Sequence, residues 1–595
     1  MVKKLSWNTK TKRTRRVKPV TDLSNKNVGS SQPILNQGEF NEHMSDYFIH
    51  SMSPLRGIDN PYFKKMFDFL QIHRSGLSVM SRRSLGRHIQ DSHQRMLTDI
   101  KKQLQHETKE VCTTADIWSA KKRSFLGVTC HWIDSNLQRK SLTLACRRFS
   151  GTHSFNRIAL LLENIHTEFN LDCQKVLATV TDNGSNFVKA FKEYGLKENE
   201  IFEDEMENES DGDDDQSAVS STSTSPRSVL HEAGPSNIST STEGEDIPQL
   251  PAHLRCSAHK LSLVCTTYAN KVLKGNNTSL SKMHDQVMRK CSTLWNAANR
   301  PKTAEIIQNI LGHTLSRPGV TRWNSVYDSL RQIESIRTKS AQLHLALGIT
   351  NYLRERDFQY IEEYLKCSQP IAEALDILQG DKDIFYGILL PTLLSLRRKL
   401  IKLTNGNLIY CQALAIKYLT SVEERFSDFF GLYTPTAITA AIAALSYPRF
   451  KDKWFTAIDH QHNRRLKTLF KQKIANEVHD QDDGQEGSTS TKPSEDAYFD
   501  FETDSSEGEG IGSSIRSTRP DILLANFLSD EDKNISMLRR HAEVMNIFKK
   551  FNTRMPSSGP VERLFSYATM INLPKSHRLS DEMFEMRVVL KANLK

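Results

Sequence analysis

The chain has 595 residues, with 80 lysines and arginines against 70 aspartates and glutamates, for a net charge of +10. At roughly 150 residues per domain this length suggests about three or four folding units. Its residues are 38% hydrophobic and 8% aromatic, enough for real cores but low for a uniformly globular chain, so part of it is expected to be disordered. No short period is sustained, which excludes collagen, coiled-coil and mucin-like classes. No window approaches the ~18 consecutive apolar residues of a membrane helix. The start, Met1 to Ser6, is basic without an apolar run, which argues against a secretory signal.

Nine cysteines lie scattered, with no C-x-x-C pair. Most sit in apolar stretches, where a reduced thiol behaves as a small hydrophobe. The expectation is a reduced, cytosolic or nuclear protein with neither a disulfide scaffold nor a cysteine-based zinc finger.

The charge is segregated. Residues 196–250 carry 15 acidic against 2 basic side chains, and 477–518 carry 12 against 2, leaving +33 on the rest of the chain. Like-charge repulsion and few apolar residues predict that both acidic segments are disordered. Eight of the positive charges fall between Lys3 and Lys18. This basic arm, with Lys12, Arg13, Arg15 and Arg16, reads as a solvated tail or as a nuclear-import and nucleic-acid-binding element. The remaining excess is the footprint of a phosphate-backbone partner.

In chain order, residues 1–40 read as a disordered arm. Residues 41–107 read as helical, with Phe63, Met66, Phe67 and Leu70 at helical spacing and a second helix from Leu85 to Leu104. From 108 to 195 the pattern is β-β-β-α-β-α, a mixed sheet with packed helices. Its strands start at Val111, Ser124, Ser141 and Val176, and an amphipathic helix runs from Ser154 to Phe169. After the acidic insert 196–250, residues 251–279 read as a short strand and a helix. Residues 280–476 are helical in pattern, 477–519 form the second acidic insert, and 520–595 are helical again. There Ser580 is placed to cap a last helix, with Asp581 and Glu582 in its first turn.

Two carboxylates stand out. Asp116 interrupts a strand that otherwise reads as apolar and β-branched, and burying it costs several kcal/mol, on the order of 2–7, unless it is paired or bound to metal. Asp182 closes another strand before a tight turn, where open α/β sheets gather ligands. On neighbouring strands the two would face each other and call for a cation such as Mg²⁺, which prefers oxygen ligands. Two such ions about 3.5–4 Å apart could activate a water for phosphodiester cleavage. The plainer alternatives are a helix-capping role for Asp182 and a strand-edge position for Asp116.

The stretches TTADIWS (Thr113–Ser119), FLGVTCHWI (Phe125–Ile133), VTDNGSNFVKAF (Val180–Phe191), RCSAHKLSL (Arg255–Leu263), TRWNS (Thr321–Ser325) and SSGPVERLFS (Ser557–Ser566) occur in this order. SPLRGIDNPYFKKM (Ser53–Met66) precedes them. Together they resemble the hAT family of transposases and their host-derived relatives, the zinc-finger BED-domain-containing proteins, over roughly residues 45–595 apart from the acidic inserts.

The resemblance implies an α/β, RNase H-like mixed sheet in two parts, 108–195 and 251–279. A large all-α insertion would interrupt it at 280–476, and a C-terminal helical hAT dimerisation region at 520–595 would close the core. It implies that Asp116, Asp182 and Glu562 ligate catalytic Mg²⁺ or Mn²⁺. On its own residues, Glu562 is an ordinary first-turn helix acid. Cys256 and His259 match the family's C-x-x-H motif, which would set His259 near the carboxylates and DNA. The plain alternative is a core histidine. Arg322 and Trp323 match its R-W motif, with Trp323 stacking on a displaced base; a core tryptophan is the alternative. The family's BED finger finds no counterpart, since no cysteine precedes residue 111, so no zinc is expected. The helices of 41–107 would then bind DNA through phosphates or mediate oligomerisation. These features imply a nuclear protein that binds DNA and pairs with itself through 520–595. It would be either a metal-dependent DDE strand-transferase or a domesticated, non-catalytic DNA-binding transcriptional regulator.

Overall fold

The structure, a computed structural model, describes residues 36–70, 76–120, 122–196, 247–275, 278–319, 323–380, 383–482, 519–572 and 579–594. The basic arm with Lys12, Arg13, Arg15 and Arg16, most of both acidic inserts, and Arg322 lie outside them.

Its centre is a five-stranded sheet. β1 (Val111–Ala120), β2 (Arg123–Ile133) and β3 (Arg139–Phe149) form an antiparallel meander. β4 (Val176–Thr181) pairs parallel with β1, and β5 (His253–Arg255) parallel with β4. The order β3-β2-β1-β4-β5 is an RNase H-like topology, and a large α-helical region follows it.

Strand parity assigns the two faces. Val111, Ala115, Leu126, Val128, Cys130 and Trp132 point to one side. There they meet α4 (Phe155–Glu168) and α5 (Ser185–Tyr194) through Ile158, Leu162, Ile165 and Phe187. Cys112, Ala178, Val180 and Leu254 point to the other side and join the core of the helical region.

The N-terminal helices are α1 (Gln37–His50), α2 (Pro61–Phe69) and α3 (Arg82–Glu107). Helix α1 begins before residue 41 because Asn36 and Glu39 form a capping box, a local signal that apolar spacing does not register. The expected stripe on α2 is half right. Phe63 and Phe67 pack on α1, whereas Met66 and Leu70 are exposed. Helix α3 packs on its neighbours: Leu85 and Ile89 pack with α1, and Ile100 and Leu104 pack on the sheet.

After β5 the chain leaves the sheet through α6 (Ser257–Leu263) and a π-helical turn, Val264–Ala269. The helical region includes α7 (Ser279–Ala298), α8 (Glu355–Gln379), α9 (Leu389–Thr404), α10 (Gln412–Arg425) and α11 (Pro435–Ser446). α12 (Ala542–Asn552) packs with it, and the chain then returns to the sheet. α13 (Gly559–Ile571) lies across β1 and β2, and α14 (Asp581–Asn593) lies along β3 and α3. Ser580 Oγ accepts from the Met583 N–H at 3.2 Å and starts α14.

Polar side chains lock this return. The buried Arg139 guanidinium, at the start of β3, donates to the carbonyls of Ile384 (3.0 Å), Thr553 (2.5 Å), Arg554 (3.3 Å) and Asn552. It thereby satisfies the carbonyl end of α12, which would otherwise lack partners. The Asn593 carboxamide pairs with both the N–H and the C=O of Thr143, at 2.8 and 2.9 Å, and covers the open edge of β3. Arg587, 1% exposed, donates to the carbonyls of Phe48 and Ser53 and so ties α14 to the N-terminal helices. The apolar side chains Phe584, Val588, Val589 and Leu590 are all buried within the chain.

A Cβ at Gly127 would meet Phe565 and Val561 of α13 at 2.8 Å. Gly127→Ala should therefore destabilise the protein by about 1–3 kcal/mol through overpacking. Gly86→Ala, where an added carbon meets nothing within 4 Å, should stabilise α3 by roughly 0.5–1 kcal/mol. Urea unfolding followed by circular dichroism reads both, and a neutral Gly127→Ala would mean that α13 can back away from the sheet.

Candidate functional site

The register of β1 on β4 pairs Ala115 with Thr181, so Asp116 and Asp182 come level where β4 ends. β1 runs on to Ala120 while β4 stops, and Asp116 therefore lies beside the loop 182–184 rather than beside a strand. Parity sets Asp116 on the face of Cys112 and Thr114, away from α4 and α5. Asp182 Oδ1 accepts from the Gly184 N–H at 2.9 Å and holds the turn into α5. A side chain at Gly184 would press on that oxygen, also at 2.9 Å. Asp182 thus shapes the helix entry, and Asp116 is paired with Gly127 of β2 on one side while its other side faces the end of β4.

The third acid arrives from the far end of the chain. Val561 and Phe565 seat on Gly127, the register partner of Asp116, and Glu562 lies between them in the first turn of α13. Trp118, two residues beyond Asp116 on the same face, stacks on Phe565 with ring centroids 5.9 Å apart. Asp116 feels the other two carboxylates. Burial above all, then Asp182, then Glu562 push Asp116 up to about 7, against a lowering hydrogen bond from the Ile117 N–H at 2.7 Å. They do not close into a cage: among the described residues no group of three or more His, Cys, Asp or Glu side chains is placed to hold a metal ion.

The other expected residues are placed differently. Cys256 Sγ accepts from the N–H groups of His259 and Ser558, both at 3.3 Å, so this thiol braces α6 against the loop that leads into α13. His259 is the third residue of α6 and is half-buried. Trp323 is 7% exposed, lies in the core of the helical region and is hydrogen-bonded to Tyr364. Here it has the packing position of a core tryptophan, and a base could reach it only if it left that core.

Three features escape a reading of motifs. Thr114 Oγ1 bonds Thr129 Oγ1 at 2.6 Å, which bonds His131 Nε2 at 2.7 Å, a buried polar chain leading away from Asp116. Burial, then Arg139 and Arg563, push His131 well down, so its ring is neutral. Both polar atoms of the Asn183 carboxamide are buried and have no hydrogen-bond partner among the described residues. Arg563, next to Glu562, donates to the Gln379 carbonyl at 3.0 Å. Period-2 spacing could have shown Thr129 and His131 to share the face of Asp116. The state of Asn183 needed the fold.

With this geometry in hand, residues 114–207 match the family described as the ZBED1 RNase-like domain. The match is a distant homology that includes Asp116 and Asp182 and stops short of Glu562. It links the chain remotely to RNase H-like and BED-superfamily proteins. No curated protein matches the chain. No described helix is long and apolar enough to cross a membrane.

The donor set suits a hard cation. Mg²⁺ keeps several waters and is usually held by one or two carboxylates together with substrate phosphate, not by an all-protein cage. Asp116 and Asp182 supply such oxygens, and the unsatisfied Asn183 amide offers a donor and an acceptor to a water or phosphate.

Asp116 gives a pH signature. Folded, it holds its proton to about 7; unfolded, it ionises near its ordinary 3.8. The folded chain binds more protons between those values, so this residue lowers stability as pH rises through the window. Asp116→Asn should gain on the wild type there by at most about 1.4 kcal/mol per pH unit, with no further gain above the window. Chemical unfolding of both proteins at stepped pH measures the gap; a constant gap would place Asp116 in water.

Proposed function

We propose that this chain is a transposase-derived nuclear DNA-binding protein that uses Asp116, Asp182 and Glu562 for divalent-cation-dependent phosphodiester cleavage and strand transfer. The observation that carries the reading is the buried environment of Asp116 beside the end of β4, where Asp182 and Glu562 both act on it as like charges. The ordered motifs and the distant RNase-like match support it, as does the +33 charge outside the acidic inserts.

Asp116 and Asp182 would hold Mg²⁺ or Mn²⁺, which when bound would polarise a phosphoryl oxygen and acidify a water. The chain's own groups do the rest. Asp116 holds a proton near neutrality and releases it when a positive charge arrives. Asn183 orients a water or a phosphate oxygen. The packing of α13 on Gly127 keeps Glu562 in place. The reading rests on the acidic centre and on DNA, and self-association through 520–595 is a separate part of it.

A second reading, a DNA-binding regulator without catalysis, is favoured by one observation: the carboxylates do not form a three-ligand group among the described residues.

Two measurements separate the readings. Mg²⁺ or Mn²⁺ should raise the unfolding midpoint of the wild type, by about 2.7 kcal/mol of stability at a hundredfold excess over Kd. The double variant Asp116→Asn, Asp182→Asn should show no such rise. Metal-dependent nicking of labelled duplex DNA should fall on the order of 100-fold or more in Asp182→Ala. DNA binding with neither metal stabilisation nor nicking would decide for the regulator.

A further inference from the structure

A second charged feature lies on the other side of the β4 end. Arg255 closes β5 and pairs in register with Thr181, the residue before Asp182. Beyond it opens a cavity of about 390 Å³ between the sheet and the helical region, lined among others by Arg255, Ser257, Lys260, Asp428 and Thr434. That volume falls within the ~300–1,000 Å³ of small-ligand sites.

The cavity is cationic. Arg255 is exposed and Lys260 is half-buried, with its ammonium over the rings of Phe426 and Phe429 at 5.6 and 5.9 Å. Burial, then Arg255, hold Lys260 below its ordinary value; Asp428 opposes this, and Arg425 adds to it. Three cations thus act around one carboxylate, an arrangement that an anion relieves. The Nε atom of Arg425 is buried with no hydrogen-bond partner among the described residues.

Arg425 also belongs to a second group of cations on an aromatic ring. The Arg425 guanidinium lies over the Tyr268 ring at 4.8 Å, and Lys271 and Lys417 approach the same ring at 5.5 and 5.4 Å. Tyr268 belongs to the π-helical turn that packs against α10. Positive charge interleaved with aromatic faces is how proteins hold single-stranded nucleic acid. At its other side the cavity is lined by Met555 and Pro556, which lead through Ser558 into α13 and its Glu562.

We propose that the cavity takes a backbone phosphate of a DNA strand that runs from the acidic centre over Arg255 and Lys260 to Arg425 and Tyr268. This rests on the DNA-processing reading above and adds the path that the strand follows. Ser257 and Thr434 offer hydroxyls to the phosphate, while Lys417 and Lys271 carry the strand onward.

The test is fluorescence anisotropy of a labelled single-stranded DNA oligonucleotide with the full chain, over a salt series. Arg255→Gln combined with Lys260→Met should weaken binding by about tenfold or more and reduce the slope of log affinity against log salt by roughly 0.7 for each phosphate that is no longer neutralised. Lys260→Met keeps the side-chain stem on the Phe426 and Phe429 rings, and Arg255→Gln alone changes an exposed side chain, so a smaller loss in that single variant guards against misfolding. Lys260→Arg should keep binding.

Wild-type binding with unchanged affinity and slope in the double variant would overturn the strand path alone. No wild-type binding to any DNA would overturn the DNA-processing reading with it. Displacement by inorganic phosphate, where chloride of equal ionic strength does not displace, would reassign the cavity to a small anion. Tighter, equally variant-sensitive binding of RNA of the same sequence would overturn the assignment to DNA.

Discussion

The closest approach in the fold that matters most is between α13 and β2. The helix lies so near the strand that position 127 has no room for a methyl group, and Val561 and Phe565 fill the space instead. That packing joins residues more than four hundred positions apart in the chain. It covers the face of the meander that α4 and α5 leave open, and it sets Glu562 against Asp116. Without it the sheet would expose Phe125, Cys146 and Trp118, which share a cluster with Phe565 and Phe584. The acidic centre is therefore a property of the closed fold, not of the β-β-β-α-β segment alone.

The same closure explains what the sequence could and could not reveal. Strands β1 to β4 are legible because alternation and β-branched runs survive even where both faces are buried. Asp116 and Asp182 are legible as misfits, charges at places where the pattern calls for apolar residues or a turn. Glu562 is not. In isolation it is a helix acid near a favourable dipole end, and only the ordered motifs single it out. Trp323 is singled out by its motif, whereas its burial among the apolar side chains of the helical region is visible only in the fold. The N-terminal helices are legible as helices, but their docking on α14 through Arg587 is a long-range hydrogen-bond pattern that periodicity does not encode.

Charge is arranged with the same economy across one strand end. β4 stops at Thr181. Asp182 follows it toward the acidic centre, and Arg255, the register partner of Thr181, lines the cationic cavity. Two like-charged groupings of opposite sign thus sit one strand apart. Each grouping is unfavourable alone, since burial raises the acid in the first and lowers the lysine in the second. Mutual attraction does not explain the arrangement, because Asp116 is raised and Lys260 is lowered; a dominant pairing would move each the other way. Among the described residues Asp116 and Lys260 are therefore each left short of counter-charge.

That shortfall has a consequence for how the two could act together. A phosphodiester brings negative charge, which the cationic cavity favours and the carboxylates oppose. A divalent cation reverses the second effect and leaves the first in place. If a cation bound there, it would have to displace the proton that Asp116 holds near neutrality, and its affinity would then depend on pH through this residue. A strand lying along Arg255 and Lys260 would present its next phosphate toward Asp182 with little approach possible until the cation is present. The fold would thereby make engagement of the acidic centre conditional on metal while leaving general strand binding independent of it, a separation that follows from placing the two charge groups on adjacent strand ends.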